Sequence, residues 1–371
     1  MESRSCFIFG LLILVRLVTG LRQTISTPLM RRQVFEDFVL ASSVTTTSLL
    51  IPNIALADDD DDDAVQVLKR RNSEVWLIGT AHVSARSAEQ VAETIDAVSP
   101  DLIAIELDRK RISQVAASSE QTSETPKQQK PQLGAFAIGA ALRSMYSSLD
   151  KMGFDSGAEF SVALDKASSG RIPVLLADQD VDTTLSRLAY AVRHTKPEEI
   201  AALDSSLNSV LSKNQGIRLL TEATSNYAGT KSGEGSRDIL REAVELIKHR
   251  DTVRNVIQAL KSDAPQLYSA LVDERDATMA NNLIQVLDSP VPPKRVVFVV
   301  GMAHEDGIAR RLYESGFRDD DDRRNLVLRN YNKKKVRQRM PISDENSKKI
   351  EENKPEAVGA GRIILLNAKS S

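Results

Sequence analysis

Short apolar runs separated by helical patterns constrain the fold of this chain more than any other sequence feature. The runs lie at residues 75–78, 102–107, 171–178 and 296–300, and apolar side chains recur at helical spacing between the first two. Strands that are buried on both faces read as continuous apolar runs, whereas half-exposed strands alternate apolar and polar residues. The sequence therefore predicts an α/β fold with a mostly parallel central sheet flanked by helices.

Composition along the chain divides it into four segments. Residues 1–57 read as a targeting presequence, and residues 58–73, which include an aspartate run, as a disordered acidic start. Residues 74–318 are predicted to form the folded domain, with a helical insertion at approximately 183–287 between the third and last core strands. Residues 319–371 are predicted to be a charged, partly disordered tail, although "NLVLR" and "RIILL" within it could each add a strand.

The presequence contains several signals in series. An apolar run at residues 7–19 has a signal-peptide layout, and Arg31 and Arg32 precede a mildly apolar stretch that ends in Ala55-Leu56-Ala57. In this order the signals resemble the presequence of a protein that enters a plastid and continues to the thylakoid lumen. The alternative is a single secretory signal or anchor followed by a spacer. We expect a plastid location, with the secretory pathway as the alternative.

The composition excludes several classes of function. A net charge of −2 over 371 residues lacks the basic excess of a nucleic-acid-binding protein. Beyond the presequence no apolar run is long enough for a membrane span. The only cysteine, Cys6, lies in the presequence, so a mature chain has no thiolate ligand or nucleophile. A reactive site must therefore use histidine, carboxylate and hydroxyl groups.

Two of the four histidines occur in the same context, at the end of an apolar run. His82 ends the stretch "GTAH" and His304 ends "GMAH". Ligands of open α/β sheets bind beyond the carboxyl ends of the strands, where Glu106 at the end of "LIAIEL" also lies. A buried glutamate needs a cationic partner, and two histidines with one or two carboxylates are typical ligands of a divalent ion. The alternative is that each histidine caps a helix or binds a loop carbonyl.

Several motifs, in order, give the chain a resemblance to a known family. "VWLIGTAHVSARSAEQV", "GAEFSVALDKA", "VLLADQDVDTTLSRL", "YSALVDERDATMA" and "VVFVVGMAHEDGI" resemble the TraB family, which is related to PrgY of bacterial pheromone control and to the Tiki proteases. The resemblance covers roughly residues 74–316. It implies a divalent-metal protease site in which His82, His304 and Glu106 hold manganese or cobalt, with zinc as a further possibility.

The same resemblance places other polar residues at or near the site, in catalytic roles. These are Glu159, Asp178 and Arg275. Arg275 stands between two acids in "ERD", so an ordinary ion network on a helix surface is the alternative for it. The chain also departs from the family pattern: Gln179 follows Asp178 where an arginine is usual, so a site cation is missing there.

A second departure follows the histidine of "GMAH", where Glu305 and Asp306 replace a small or apolar pair. These two acids could add ligands to the site or face water, and we expect them to face water.

The sequence thus predicts a metal-dependent hydrolase that acts on peptides or proteins, with no nucleic-acid partner. A divalent ion held by His82, His304 and Glu106 activates water, while Glu159 or Asp178 completes the ligand set or acts as base. Arg275 stabilises the developing oxyanion. The alternatives are a non-catalytic peptide-binding protein of the PrgY type, and a metal-independent hydrolase in which one histidine is the general base and Glu106 orients it.

Overall fold

The computed structural model of the chain describes residues 65–80, 85–112, 157–212, 250–339 and 365–366. Seven strands in these residues form one mixed sheet. The strands are β1 (Val65–Arg70), β2 (Ser73–Thr80), β3 (Leu102–Ile105), β4 (Val174–Leu176), β5 (Arg295–Gly301), β6 (Arg318–Asp319) and β7 (Leu365–Leu366).

Helices occupy most of the remaining described residues. They are α1 (Ala85–Val98), α2 (Ala158–Gly170), α3 (Val181–His194), α4 (Pro197–Ser212), α5 (Arg250–Asp263), α6 (Pro265–Tyr268), α7 (Glu274–Leu287), α8 (Met302–Glu314) and α9 (Asp321–Arg339). A π-helical turn, Ser269–Asp273, joins α6 to α7. In the described residues no helix is long and apolar enough to cross a membrane.

The strands lie in the order β6-β1-β2-β5-β3-β4-β7. The neighbouring strands β2, β5, β3, β4 and β7 pair in parallel, whereas β1 is antiparallel to both β2 and β6. In the central strand β5 every residue after Arg295 is buried, as expected for a strand covered on both faces. The prediction of an α/β fold with a mostly parallel sheet flanked by helices is confirmed.

Alternation along the strands divides the core into two layers. Ile103 and Ile105 of β3 pack with α1 and α2, whereas Leu102 and Ala104 pack with α7 and α8 on the other face. Successive side chains of a strand point to opposite faces. Glu106 continues the second set, so its carboxylate lies on the side of the sheet covered by α7 and α8.

The helices that lie in sequence between β4 and β5 have a hydrophobic cluster of their own. Leu188 of α3, Leu203 of α4, Val256 of α5 and Leu267 of α6 are buried together in it. Met302, the first residue of α8, packs against the same cluster. This contact ties the helical cluster to the segment that carries His304.

Strand β1 lies within residues 58–73, where the sequence predicted a disordered start, and that prediction is wrong for residues 65–70. Val67 is fully buried and pairs with Trp76 of β2. A two-residue turn at residues 71–72 joins the strands, with Arg71 at φ 53°. Hairpins with two-residue loops need such positive φ values. The predicted presequence, residues 1–57, lies outside the described residues, so its plastid address stays a prediction.

The C-terminal region also differs from expectation. "NLVLR" is helical and belongs to α9, so the strand predicted there is wrong. Asp320 accepts a hydrogen bond from the backbone N–H of Arg323 at 3.1 Å, which caps the helix. Val327 and Leu328 then pack against the core while Leu326 is exposed. A short strand, β7, does form within "RIILL", as predicted.

Candidate active site

Three core strands end at the same edge of the sheet, and each is followed by a polar side chain. Glu106 follows β3 directly, Asp178 lies two residues beyond β4, and His304 lies in the first turn of α8, which begins directly after β5. All three side chains are buried. The structure therefore brings these three residues together, because the carboxyl ends of neighbouring parallel strands meet at one edge.

Arg275, the second residue of α7, joins all three of them. Its Nε and Nη2 donate to the two oxygens of Asp178 at 3.2 and 2.7 Å, and Nη2 also donates to Oε1 of Glu106. Its Nη1 lies 2.6 Å from Nε2 of His304. Arg275 is 5% exposed. The alternative, an ordinary ion network on a helix surface, is therefore wrong for this residue, which is the centre of a buried cluster.

Glu106 is held from two sides. Its Oε2 accepts the backbone N–H of Gly301 at 2.6 Å, and its Oε1 accepts from Arg275. The same Oε1 lies 3.5 Å from Nε2 of His304. These contacts fix the carboxylate beside the imidazole and satisfy the need of a buried acid for a cationic partner.

A third acid, Asp276, holds the far side of the imidazole. Its Oδ1 lies 2.6 Å from Nδ1 of His304, and both residues are almost completely inaccessible to solvent. Burial raises the pKa of the Asp276 carboxyl above its ordinary value, and the neighbouring His304 opposes this increase. Both ring nitrogens of His304 are thus occupied, one by Asp276 and the other by Arg275.

Charge interactions outweigh burial at the centre of the cluster. Burial by itself lowers the pKa of the Arg275 guanidinium, but the charges of Asp178 and Glu106 raise it above its ordinary value. Arg275 therefore remains charged at any physiological pH.

The donor set fits a metal ion in part. His304 and Glu106 are two of the three expected ligands, and their nearest donor atoms lie 3.5 Å apart. The third, His82, lies outside the described residues. Within the described ranges, no group of three His, Cys, Asp or Glu side chains is arranged to hold a metal ion. Arg275 already supplies positive charge to both donors, so a second cation requires that it give up these contacts.

Comparison with known proteins places the cluster in a family. The sequence pattern of the TraB/PrgY/gumN family matches residues 64–318, which contain every side chain of the cluster. This chain belongs to the TraB/PrgY/gumN family. An uncharacterized protein of Methanocaldococcus jannaschii is 30% identical to it over 266 residues, which cover 71% of this chain and 59% of the relative.

Animal relatives match over a similar stretch. TraB domain-containing proteins of Bos taurus and Homo sapiens are 26% and 24% identical over 271 residues, which cover 66% of this chain and 64% of each relative. This chain therefore spans less than two thirds of the length of these TraB-family relatives.

Gln179 stands where the sequence resemblance led us to expect an arginine, but a second arginine reaches Asp178 from elsewhere. Arg111 donates from Nη2 to Oδ2 of Asp178 at 2.7 Å. Asp108 holds Arg111 in turn, through Nε at 3.1 Å and through the backbone N–H at 2.8 Å. Asp178 thus has two arginine partners, Arg111 and Arg275.

The two acids after His304, a departure from the TraB-family pattern, have different environments. Asp306 is exposed, as expected, and pairs with Arg254 of α5 at 2.8 and 3.0 Å. Glu305 is only 3% exposed, so the expectation that it faces water is wrong. It is bound to Arg250 of α5 and packs against the backbone of Gly79. Burial raises the pKa of the Glu305 carboxyl to about 7, although the charge of Arg250 opposes the increase.

Close packing at Gly79 gives a physical reason for the glycine of the "GTAH" motif. A methyl group at this position would overlap the Glu305 carboxylate. Glu305 thereby connects the end of β2, which leads to His82, with the helical cluster through Arg250.

Glu159, the remaining expected site residue, is fully buried in the first turn of α2. Helix α2 packs on the face of the sheet opposite α7, which carries Arg275. The described contacts of Arg275 and His304 are made with other acids. The structure therefore does not join Glu159 to these two residues.

Sequence reasoning missed two members of the cluster, Asp276 and Arg111. Asp276 directly follows Arg275. The side chains of neighbouring residues in a helix point about 100° apart, so the sequence gives no reason to expect that the two contact the same imidazole. Arg111 lies five residues beyond Glu106 in "ELDRKR", close enough to fold back over the strand end. The short separation of Glu106 and Arg111 in the sequence was the feature from which Arg111 could have been predicted as a member of the cluster.

Proposed function

We propose that this TraB-family protein is a hydrolase of peptides, and that its reaction takes place at Nε2 of His304. The observation that carries this proposal is the arrangement of His304 between two acids. Asp276 holds Nδ1 at 2.6 Å, and Oε1 of Glu106 lies 3.5 Å from Nε2. An imidazole oriented by a carboxylate is typical both of metal ligands and of general bases.

His304 and Glu106, together with His82, would hold a divalent ion. Imidazole and carboxylate ligands suit manganese, cobalt and zinc. When bound, such an ion polarises a carbonyl group and lowers the pKa of a bound water. In this scheme Asp276 orients His304, the backbone N–H of Gly301 fixes Glu106, and Asp178 anchors Arg275.

Arg275 has its own role in the proposed reaction. A guanidinium that is already positioned and desolvated stabilises the negative charge that develops on a carbonyl oxygen during hydrolysis. Asp178 holds two nitrogens of Arg275, so the guanidinium can keep this anchor while its contacts with Glu106 and His304 change.

One observation favours a second candidate, a metal-independent hydrolase with His304 as general base. The hydrogen bond between Asp276 and Nδ1 is the pairing that orients the base in serine hydrolases. The orienting acid would be Asp276 rather than Glu106, which faces the other ring nitrogen. In this candidate Nε2, released from Arg275, would take a proton from the water that attacks the carbonyl carbon and pass it to the amine that leaves, while Arg275 stabilises the oxyanion.

Digestion of a peptide library by the full-length chain tests the proposal. His304→Ala is compared with His194→Ala, because His194 is an exposed histidine at the end of α3 and is stacked on Tyr190. We expect His304→Ala to lower hydrolysis by about 10²-fold or more and His194→Ala to leave it unchanged. Each reaction is repeated after dialysis against a chelator and again after addition of Mn²⁺, Co²⁺ or Zn²⁺.

The outcomes separate the candidates. Loss of cleavage with chelator and recovery with metal supports the metal-dependent hydrolase, whereas cleavage that is unaffected by chelator supports His304 as a general base. Peptides that bind but remain intact under every condition contradict both and favour a PrgY-type binding protein. Equal activity of His304→Ala and His194→Ala would also contradict the proposal.

A further inference from the structure

Asp276 makes an unusual pair of contacts for a buried acid. Its Oδ1 lies 2.6 Å from Nδ1 of His304, while its Oδ2 is buried with no hydrogen-bond partner in the part of the chain that the structure describes. That second oxygen is pressed against Gly307 of α8, where a methyl group would overlap the carboxylate. A buried carboxylate oxygen without a partner lowers stability. Burial of Asp276 at this position therefore lowers the stability of the fold, whereas its contact with Nδ1 of His304 is favourable.

Arg275 and Asp276 are neighbours in the first turn of α7, and they contact opposite nitrogens of His304. The π-helical turn precedes them: the backbone N–H of Glu274 donates to the carbonyl of Ser269, five residues earlier, rather than four as in an α-helix. Arg275 also donates from Nη1 to the carbonyl of Leu271 within this turn at 3.3 Å.

The chemistry of the two partners determines where the ring proton lies. A guanidinium only donates hydrogen bonds, so Nε2 of His304 accepts from Arg275. A neutral imidazole has one N–H, so when Nε2 accepts, the proton lies on Nδ1 and is donated to Asp276. Of the two nitrogens, Nε2 is thus the one that carries the lone pair, which Arg275 engages here, and it is the one that lies beside Glu106.

We propose that Asp276 is a positioning residue, which orients His304 and keeps the lone pair on Nε2, and that Gly307 is required to admit its carboxylate. This proposal deepens the function proposed above and rests on it for its catalytic consequence. It does not depend on that function for its structural content, because the state of the ring can be measured without substrate or metal.

Three variants of the full-length chain test the proposal. Asp276→Asn keeps the shape of the side chain and removes its charge. Gly307→Ala leaves both Asp276 and His304 chemically intact but displaces the carboxylate. Asp273→Asn is the matched control, because Asp273 is a partly exposed acid in the preceding turn, where it pairs with Arg311 at 2.8 Å.

The decisive measurement is NMR spectroscopy of the chain labelled with ¹⁵N-histidine. With only four histidines, each ring signal can be assigned from single substitutions. We expect His304 to carry its proton on Nδ1, with a strongly downfield signal that exchanges slowly with water. In Asp276→Asn and Gly307→Ala this signal should move upfield or exchange rapidly, whereas Asp273→Asn should leave it unchanged.

Hydrolysis provides the second readout. Substitution of a residue that orients a functional histidine costs about 10 to 100-fold in activity or metal affinity. We expect that loss to appear in kcat more than in KM for Asp276→Asn and Gly307→Ala. A purely structural role for Asp276 would lower the yield of folded protein without changing the ring signal of the folded fraction.

The results can overturn this proposal and the proposed function separately. A His304 ring protonated on Nε2 in the wild-type chain, or a ring signal that is the same in Asp276→Asn, would overturn the positioning role even if peptides are cleaved. The expected ring signals in a chain that cleaves nothing would support the positioning role and contradict the hydrolase.

Discussion

The backbone N–H of Gly301 donates to Oε2 of Glu106 at 2.6 Å, which connects the glycine that ends β5 to the acid that follows β3. The glycine of "GMAH" therefore donates to the carboxylate, while the histidine three residues later lies beside it. Both contacts arise because β3 and β5 are neighbouring parallel strands. The motif thus brings a hydrogen-bond donor and an imidazole to the same acid.

Removal of the Glu106 charge is expected to destabilise the fold strongly. Glu106→Gln leaves the buried Arg275 with one carboxylate fewer, and loss of one partner of a buried ion pair costs about 3 to 5 kcal/mol. Glu274→Gln is the control, because Glu274 pairs with Arg187, whose side chain is 51% exposed. An exposed pair contributes about 1 kcal/mol or less. Urea unfolding measures both changes, and equal losses would contradict the central position of Glu106.

Glu305 is expected to make stability depend on pH. Burial raises the pKa of its carboxyl from 4.5 to about 7, so the folded state holds this proton more tightly than the unfolded state. The contribution of Glu305 is therefore most favourable below pH 4.5 and declines as the pH rises to about 7. The loss amounts to roughly 3 kcal/mol, since one pKa unit corresponds to about 1.4 kcal/mol.

A comparison of the free energy of unfolding between pH 5 and pH 8 tests this dependence. Glu305→Gln should lack the decline, whereas Asp306→Asn, a change at the exposed neighbour, should retain it. A wild-type chain and a Glu305→Gln variant with parallel pH profiles would contradict the assignment.

The contact between Gly79 and Glu305 predicts that Gly79→Ala lowers stability and that truncation of Glu305 removes most of this loss. Gly79→Ala places a methyl group against the carboxylate, which Arg250 holds in place, and such overpacking costs about 1 to 3 kcal/mol. In a Glu305→Ala background the clash is absent, so the same substitution should cost much less. A double-mutant cycle in urea measures the coupling. Additive effects of the two substitutions would show that the contact is not formed.

Sequence patterns predicted the fold where a single local rule decides it. Runs such as the one that forms β5 are apolar throughout because both faces of the strand are covered, and their length is typical of a strand rather than a helix. The pattern also placed Glu106 and His304 at one edge, since Glu106 directly follows one such run and His304 lies three residues beyond another.

The remaining parts depend on contacts that no local pattern contains. Arg275 and Asp276 have the charge pattern of a helix surface, and only the packing of α7 beside α8 brings both to His304. From its sequence neighbours Glu305 is predicted to be a solvated acid. Its burial depends on Arg250, which is 55 residues away in the chain, and on Gly79, whose backbone packs against the carboxylate. Strand β1 was missed because an aspartate run precedes it and its end is basic, in Lys69-Arg70-Arg71. This charged composition is typical of a solvated segment, although three apolar residues of the strand are buried.

Strand β1 is expected to be an integral part of the core rather than a disordered start. Leu68 is fully buried in the same cluster as Phe298 of β5, and truncation of a buried leucine costs about 2 to 5 kcal/mol. Leu68→Ala should therefore lower the free energy of unfolding by that amount. Leu326→Ala is the matched control, because Leu326 of α9 is 55% exposed and its truncation should change stability by about 0.5 kcal/mol or less. Urea unfolding distinguishes the two variants, and a Leu68→Ala chain as stable as Leu326→Ala would show that residues 65–70 do not belong to the sheet in solution.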